Sequence, residues 1–268
     1  MRHMKRMTVL LITAAFLILM PANALAAAKE YVPTEATYYE LKGGKWEEIS
    51  KQTFSYTKNG RIKSHTSEII QSGFSVRTAY TWKGNFLKKQ ESQYNATTYS
   101  YKKKKLNYLT EVKKSSGKTT ISSISWKKRK GTFTSSNGTT GSYTVNKRNQ
   151  VINYTLVDSY GAKYTTSLKY YGNGNLKSES HSEPFYSYVK KFNKKGYPIS
   201  SKSNISEETY TYKRNKKGQI TEQLITSKGT GGGVDYYKKV FSKWKKISRS
   251  VRNCDAYGNR VYTAYDFD

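Results

Sequence analysis

The sequence predicts an all-β protein: an antiparallel array of β-hairpin repeats, arranged as a meander sheet or an open barrel. Three observations predict it. Apolar residues recur two positions apart ahead of each turn, the turns are rich in Gly, Asn and Lys, and the pattern returns about every 44 residues. A five-bladed β-propeller is the alternative, because two hairpins per 44 residues is also the size of a propeller blade.

The apolar pairs are the first element of the repeat. Side chains two apart point to the same face of a strand. Ser, Thr or Lys fills most positions between them, so the pattern indicates a sheet with one buried face and one polar face. The pairs are Phe54/Tyr56, Tyr80/Trp82, Tyr99/Tyr101, Ile124/Trp126, Tyr143/Val145, Leu168/Tyr170 and Tyr210/Tyr212.

Turn residues and a single apolar residue complete each unit. Lys-Asn-Gly, Gly-Asn-Gly-Asn and Asn-Lys-Lys-Gly suit hairpin turns, because Gly and Asn accept positive φ at low cost. An apolar residue follows each turn, at Ile62, Leu87, Leu106, Phe133, Val151, Leu176 and Ile220. Each unit therefore predicts a strand, a turn and a second strand.

The spacing of the units shows that the true repeat is a double hairpin. The second residues of the pairs lie at positions 56, 82, 101, 126, 145 and 170, so long and short steps alternate. About ten hairpins, or twenty short strands, fit the chain, and each needs its neighbours to complete a core. We find neither a helical apolar stripe nor a linker rich in Pro, Gly and Ser. We therefore predict one domain over residues 29–268.

Residues 1–28 have the pattern of a secretory signal peptide. A basic start precedes an apolar run from Thr8 to Met20, and Ala24-Leu25-Ala26 provides a cleavage site. The apolar run is short for a membrane span, and no second run of about 18 apolar residues follows. We predict a secreted bacterial protein, released or held non-covalently at the cell wall, with no transmembrane segment after cleavage.

The charge of the chain suits anionic partners. The formal net charge is +30 at pH 7, and loss of the three basic residues of the signal peptide would leave +27. Such a surface attracts polyanions through a salt-sensitive electrostatic interaction.

The basic residues concentrate in equivalent turns, which an up-and-down array would place along one rim. Lysine acts there as a point charge for loose phosphate or carboxylate contacts. The alternative is that lysine in turns only keeps the sheet soluble. The predicted polyanion-binding residues are Lys102, Lys103, Lys104, Lys105, Lys127, Lys128, Arg129, Lys130, Lys213, Arg214, Lys216 and Lys217.

The sequence offers few residues that could carry out catalysis or bind a metal ion. Apart from the signal peptide the chain has only His65 and His181, which we predict to be exposed polar strand positions rather than general bases, and one cysteine, Cys254. These are too few for a His/Cys metal site, and no cofactor motif is present. A secreted hydrolase would need two carboxylates, such as Glu179 with Glu183 or Glu207 with Glu208. We predict that the protein is not an enzyme.

The repeat resembles that of the YD-repeat, or RHS-type, family, whose pattern is roughly Tyr-x-Tyr-Asp-x-x-Gly-Arg/Asn-Leu. Residues 54–62, FSYTKNGRI, match it except at the Asp position. Residues 255–261, DAYGNRV, match its second half with the Asp included. The resemblance implies a β-hairpin array used for binding or encapsulation, and it offers no catalytic residues to carry over.

These observations favour a non-catalytic protein of the cell envelope. Its basic turns are expected to bind an anionic wall polymer, an acidic polysaccharide or a nucleic acid. The alternative is a protein-interaction scaffold of the YD-repeat type, which would recognise another protein through strand edges or the aromatic face.

Overall fold

The computed structural model describes residues 30–248 and 252–266, and within these ranges it contains eighteen β-strands and no helix. The predicted signal peptide lies outside the described residues. No described helix has the length and hydrophobicity that crossing a membrane requires. The strands are β1 (Glu30–Lys42), β2 (Lys45–Tyr56), β3 (Ile62–Ile69), β4 (Phe74–Lys83), β5 (Phe86–Glu91), β6 (Asn95–Lys102), β7 (Lys105–Lys113), β8 (Lys118–Lys127), β9 (Lys130–Ser135), β10 (Thr140–Val145), β11 (Val151–Val157), β12 (Lys163–Tyr170), β13 (Leu176–Ser182), β14 (Ser187–Phe192), β15 (Pro198–Ser203), β16 (Ser206–Arg214), β17 (Ile220–Gly229) and β18 (Val234–Ile247).

The strands form one closed barrel. Each strand pairs antiparallel with the next one along the chain, and β18 pairs with β1 from Glu30↔Ile247 to Glu40↔Tyr237. The predicted antiparallel hairpin meander is therefore confirmed. The open barrel and the propeller are wrong, because the first and last strands pair and leave neither an open edge nor separate blades.

The predicted repeat positions face the interior. Phe54, Tyr56, Tyr80, Ile124, Val145, Leu168 and Tyr210 of the apolar pairs are buried, and the remaining members of the pairs, including both Tyr99 and Tyr101, are half-buried. All seven residues that follow the turns are buried, from Ile62 to Ile220. In β9, for example, the outward positions carry the polar side chains of Lys130, Thr132 and Thr134, which alternate with buried residues. The apolar residues of the repeat thus form much of the barrel interior.

A recurring hydrogen bond gives the double-hairpin period a physical basis. A Trp or Tyr side chain on one strand donates to a backbone carbonyl at the start of the preceding strand. The bonds are Trp82 Nε1 to Ile62 O (2.8 Å), Trp126 Nε1 to Leu106 O (2.6 Å), Tyr170 Oη to Val151 O (2.5 Å) and Tyr212 Oη to Pro198 O (2.7 Å). The first two bonds are offset by 44 residues in both donor and acceptor.

Residues 252–266, which we call the inner segment, lie inside the barrel. Asn253 accepts the backbone N–H of Leu176 on β13, and two residues later Asp255 accepts the N–H of Leu87 on β5. These strands lie eight positions apart in a ring of eighteen, so the inner segment bridges opposite walls. Tyr257 and Tyr265 are almost fully buried.

Candidate functional site: the basic end and the inner segment

The two ends of the barrel differ in charge. At one end, which we call the basic end, the turns between β2 and β3, β4 and β5, and so on to β16 and β17 contain no Asp or Glu. The turns at the opposite end, which we call the far end, hold only Lys114, Asp158 and Glu183 as charged residues. The basic residues in the turns of the basic end are Lys58, Arg61, Lys103, Lys104, Lys128, Arg129, Lys147, Arg148, Lys194, Lys195, Lys216 and Lys217.

All twelve residues predicted to bind polyanions lie in or beside turns of this basic end. Those at positions 102–105 and 127–130 occupy neighbouring hairpins, whereas those at 213–217 lie across the ring. Three of them also have partners within the protein. Lys105 donates to Lys128 O and lies 5.0 Å from the ring centroid of Trp126. Lys213 pairs with Glu222 at 2.7 Å, and Arg214 donates to Gly218 O at 2.8 Å.

Several of these lysines adopt a backbone conformation that disfavours lysine. Lys103 and Lys104 form a two-residue hairpin turn with φ of 50° and 63°, and Lys128 begins another with φ of 54°. Such turns favour Asn-Gly or Gly, and a left-handed conformation costs a residue with a Cβ about 1–2 kcal/mol. Lysine at these turn positions therefore adds positive charge but lowers the local stability relative to Asn or Gly.

The inner segment folds as one more copy of the repeat's turn. In the turn between β16 and β17, Asn215 N donates to Gln219 O, and Asn215 Oδ1 accepts the N–H groups of Lys217 and Gln219. Asp255 N donates to Asn259 O in the same way. Asp255 Oδ1 accepts the N–H groups of Tyr257, Gly258 and Asn259 at 2.8–2.9 Å. The motif recognised at residues 255–261 is therefore a repeat turn, but it lies inside the barrel.

The β-bulges explain why the inner segment fits there. The register shifts beside the turns that precede Leu87, Val151 and Leu176, and a bulge leaves a backbone group outside the ladder. The inner segment accepts all three N–H groups. Asp255 Oδ2 accepts that of Leu87 (3.0 Å), Tyr257 O that of Val151 (2.7 Å) and Asn253 Oδ1 that of Leu176 (2.9 Å).

An ion pair fixes the later part of the inner segment. Arg260 pairs with Asp266, and its guanidinium lies 4.9 Å from the ring centroid of Phe192. Burial alone would raise the pKa of Asp266, but Arg260, Lys190 and hydrogen bonds from Thr263 hold that pKa below its usual value. The Asp266 carboxylate is therefore charged at neutral pH.

Both histidines, His65 and His181, make contacts within the protein. His65 is buried and stacks on Tyr262 with centroids 4.1 Å apart, so its predicted exposure is wrong. The bulge after Tyr56 turns both Ile62 and His65 inward, because Lys63 is the extra residue. His181 is half-buried, also contrary to prediction, and bonds Thr166.

Cys254 is buried in the inner segment. Its thiol donates to Gly174 O at 3.2 Å. Burial raises the pKa of this thiol to about 12, which keeps it protonated and unreactive at neutral pH.

The carboxylates considered for hydrolysis are engaged in other contacts. Glu179 accepts a hydrogen bond from Tyr188 at 3.0 Å and lies 3.9 Å from Arg260. Glu183 lies 3.7 Å from His181 Nε2. Glu207 and Glu208 contact Lys202 and Tyr210, respectively. Among residues 30–248 and 252–266, no group of three or more His, Cys, Asp or Glu could hold a metal ion.

The far end carries exposed apolar side chains on its turns. Tyr160 and Phe185 are 95% and 94% exposed, and Ile70, Tyr94 and Ile205 occupy other turns of the same end. Tyr160 and Phe185 lie on neighbouring turns, and exposed apolar side chains close together are typical of a contact site. The sequence pattern did not single them out, because they lie outside the i, i+2 pairs and the positions that follow the turns of the repeat.

Comparison with known proteins adds little to this description. No protein-family profile and no curated protein matches the chain. It is similar to a porin-like protein from Bacteroides uniformis ATCC 8492, with a TM-score of 0.37, 14% identity and coverage of 80% of this chain and 96% of that one. It is also similar to a porin-like protein from Bacteroides vulgatus ATCC 8482, with a TM-score of 0.28, 9% identity and coverage of 80% and 99%. At such TM-scores neither likeness bears on function.

Proposed function

We propose that this protein binds anionic polymers of the cell envelope through the basic end of its barrel, without catalysis. The segregation of charge carries the proposal. Six of the eight turns at this end carry basic residues and none carries an acidic one, and neighbouring turns are two strand spacings, or roughly 10 Å, apart. Several weak contacts to a linear polyanion then act together.

The strained lysine turns support the same function. A residue that adopts an unfavourable conformation suggests a role beyond folding. If Lys103 and Lys104 served solubility alone, Asn-Gly with lysines on the adjacent strands would do so without strain. Secretion by way of the predicted signal peptide belongs to this proposal.

Replacement of the two strained lysines tests the proposal. We expect Lys103→Asn/Lys104→Gly to weaken binding to long-chain polyphosphate by roughly tenfold per lost contact at 0.1 M salt. The slope of log K against log salt should become shallower by about 2. Unfolding stability should rise by about 1 kcal/mol, because Asn-Gly suits the turn. Fluorescence titration over a salt series and urea unfolding measure these effects.

A variant of equal charge at the far end is the control. Lys113 and Lys118 pair across the far end of β7 and β8 and are exposed. Lys113→Gln/Lys118→Gln lowers the net charge by the same amount, and we expect it to change binding much less. Equal weakening by both variants would mean that total charge, rather than the basic end, controls binding.

The apolar far end favours a second function, a protein-interaction scaffold. Tyr160 and Phe185 project from separate turns and suit contact with an apolar protein surface. A saturable complex with one protein, unaffected by salt, would favour this function over polyanion binding.

A further inference from the structure

A polar pocket of about 250 Å³ lies at the basic end, where the inner segment enters the barrel. Its wall comes from four turns and from residues 252 and 254–256. Three arginines line it: Arg61 follows β2, Arg148 follows β10, and Arg252 begins the inner segment. We call it the arginine pocket.

Contacts within the protein hold each guanidinium in place. Arg61 donates to Asn85 Oδ1 at 2.7 Å, and its guanidinium lies 4.6 Å from the ring centroid of Trp82. Arg148 donates to Gly172 O at 3.0 Å. Arg252 donates to Asn173 O. Since a guanidinium has five N–H donors, one such bond orients the group without exhausting its capacity.

The choice of arginine sets this pocket apart from the surrounding rim. Lysine dominates the turns of the basic end, yet no lysine among the described residues lines the pocket. Lysine gives loose point-charge contacts, whereas the planar fork of arginine matches the oxygens of a phosphate group in a bidentate manner. Three orientated forks around one small space therefore indicate a specific oxyanion site.

Asp255, which also lines the pocket, does not oppose an anion there. Its Oδ1 accepts three backbone N–H groups. Its Oδ2 accepts the Leu87 N–H, the Tyr101 hydroxyl and the Asn259 amide. The carboxylate charge is therefore compensated by donors of the protein.

We propose that the arginine pocket binds a single phosphate group, either as free phosphate or as the phosphate ester of a polymer unit. This inference rests on the proposed function and deepens it: the lysine rim would attract the polymer, and the pocket would hold one phosphate in a defined position. The bound anion would also join the inner segment, through Arg252, to the turns of Arg61 and Arg148.

Titration of the full protein with inorganic phosphate and with glycerol 3-phosphate tests the inference. Sodium acetate at equal ionic strength serves as the comparison anion. We expect one saturable site for both phosphate compounds. Arg148→Gln should weaken phosphate binding at least tenfold, and Arg148→Lys, which keeps the charge, should weaken it nearly as much.

Arg129→Gln is the matched control, because Arg129 lies in an exposed turn of the same end outside the pocket. It should leave phosphate binding unchanged. Equal losses in Arg129→Gln and Arg148→Gln, or no saturable site in the wild type, would overturn the inference. If the protein binds polyphosphate but has no saturable phosphate site, the inference about the arginine pocket is wrong and the proposed function stands. If phosphate binds at one site but polymer binding does not depend on salt, the proposed function is wrong and the phosphate site stands. If glycerol 3-phosphate fails and free phosphate binds, a polymer ester is not the ligand.

Discussion

Replacement of Asp255 by Ala should destabilise the protein by about 3–5 kcal/mol and expose the only cysteine. Asp255 caps the turn of the inner segment and accepts the Leu87 N–H and the Tyr101 hydroxyl. Its removal leaves these buried donors unsatisfied, at about 1–3 kcal/mol each, besides the lost cap. Urea unfolding measures the stability, and the rate of Cys254 modification in native buffer measures release of the inner segment.

Two further variants separate the roles of this carboxylate. Asp255→Asn keeps an oxygen for the turn but places an NH₂ group against the Leu87 N–H, so we expect an intermediate loss of roughly 1–3 kcal/mol. Asn215→Ala removes the equivalent cap on the rim, where the inner segment is not involved, and should cost about 1 kcal/mol. If Asp255→Ala proves as mild as Asn215→Ala and leaves Cys254 protected, the inner segment is not anchored as described.

The second large effect concerns Arg260. Arg260→Met leaves the Asp266 carboxylate buried without its main counter-charge, and loss of one partner of a buried pair typically costs 3–5 kcal/mol. Wild-type Asp266 has a lowered pKa, so its stabilising contribution is present above the unfolded-state pKa of about 3.9 and is lost as pH falls through the lower folded-state value.

The sign of this pH dependence should reverse in the variant. Burial without Arg260 raises the pKa of Asp266, so protonation then favours the folded state. The stability difference between wild type and Arg260→Met should therefore be largest near pH 7 and shrink below about pH 4. Arg260→Met/Asp266→Asn should recover part of the loss at pH 7. A difference that stays constant from pH 3 to pH 7 would contradict the role given to the pair.

The repeat was predictable from sequence because its information is local. The i, i+2 pairs and the apolar residue after each turn determine which side of a hairpin is buried, and Phe54, Tyr56 and Ile62 are buried as expected. The placement of the basic turns at one end follows from the same reasoning, because alternate turns of a meander share an end. Whether those turns bind a polyanion stays a prediction.

Closure and the inner segment were not predictable in this way. Closure depends on pairing between β1 and β18, which lie about 200 residues apart, and their local patterns do not differ from those of other strands. From sequence alone, the motif at Asp255 predicts one more hairpin with its turn at the basic end. Its position inside the barrel depends on N–H groups such as that of Leu87, which become available only when the bulges form.

The most direct test of the central claim is lysine-modification footprinting of the full protein with and without long-chain polyphosphate. We predict that polyphosphate protects Lys103, Lys104 and Lys128 at the basic end and leaves Lys113 and Lys118 at the far end as reactive as before. Equal protection at both ends, or protection confined to the far end, would contradict it.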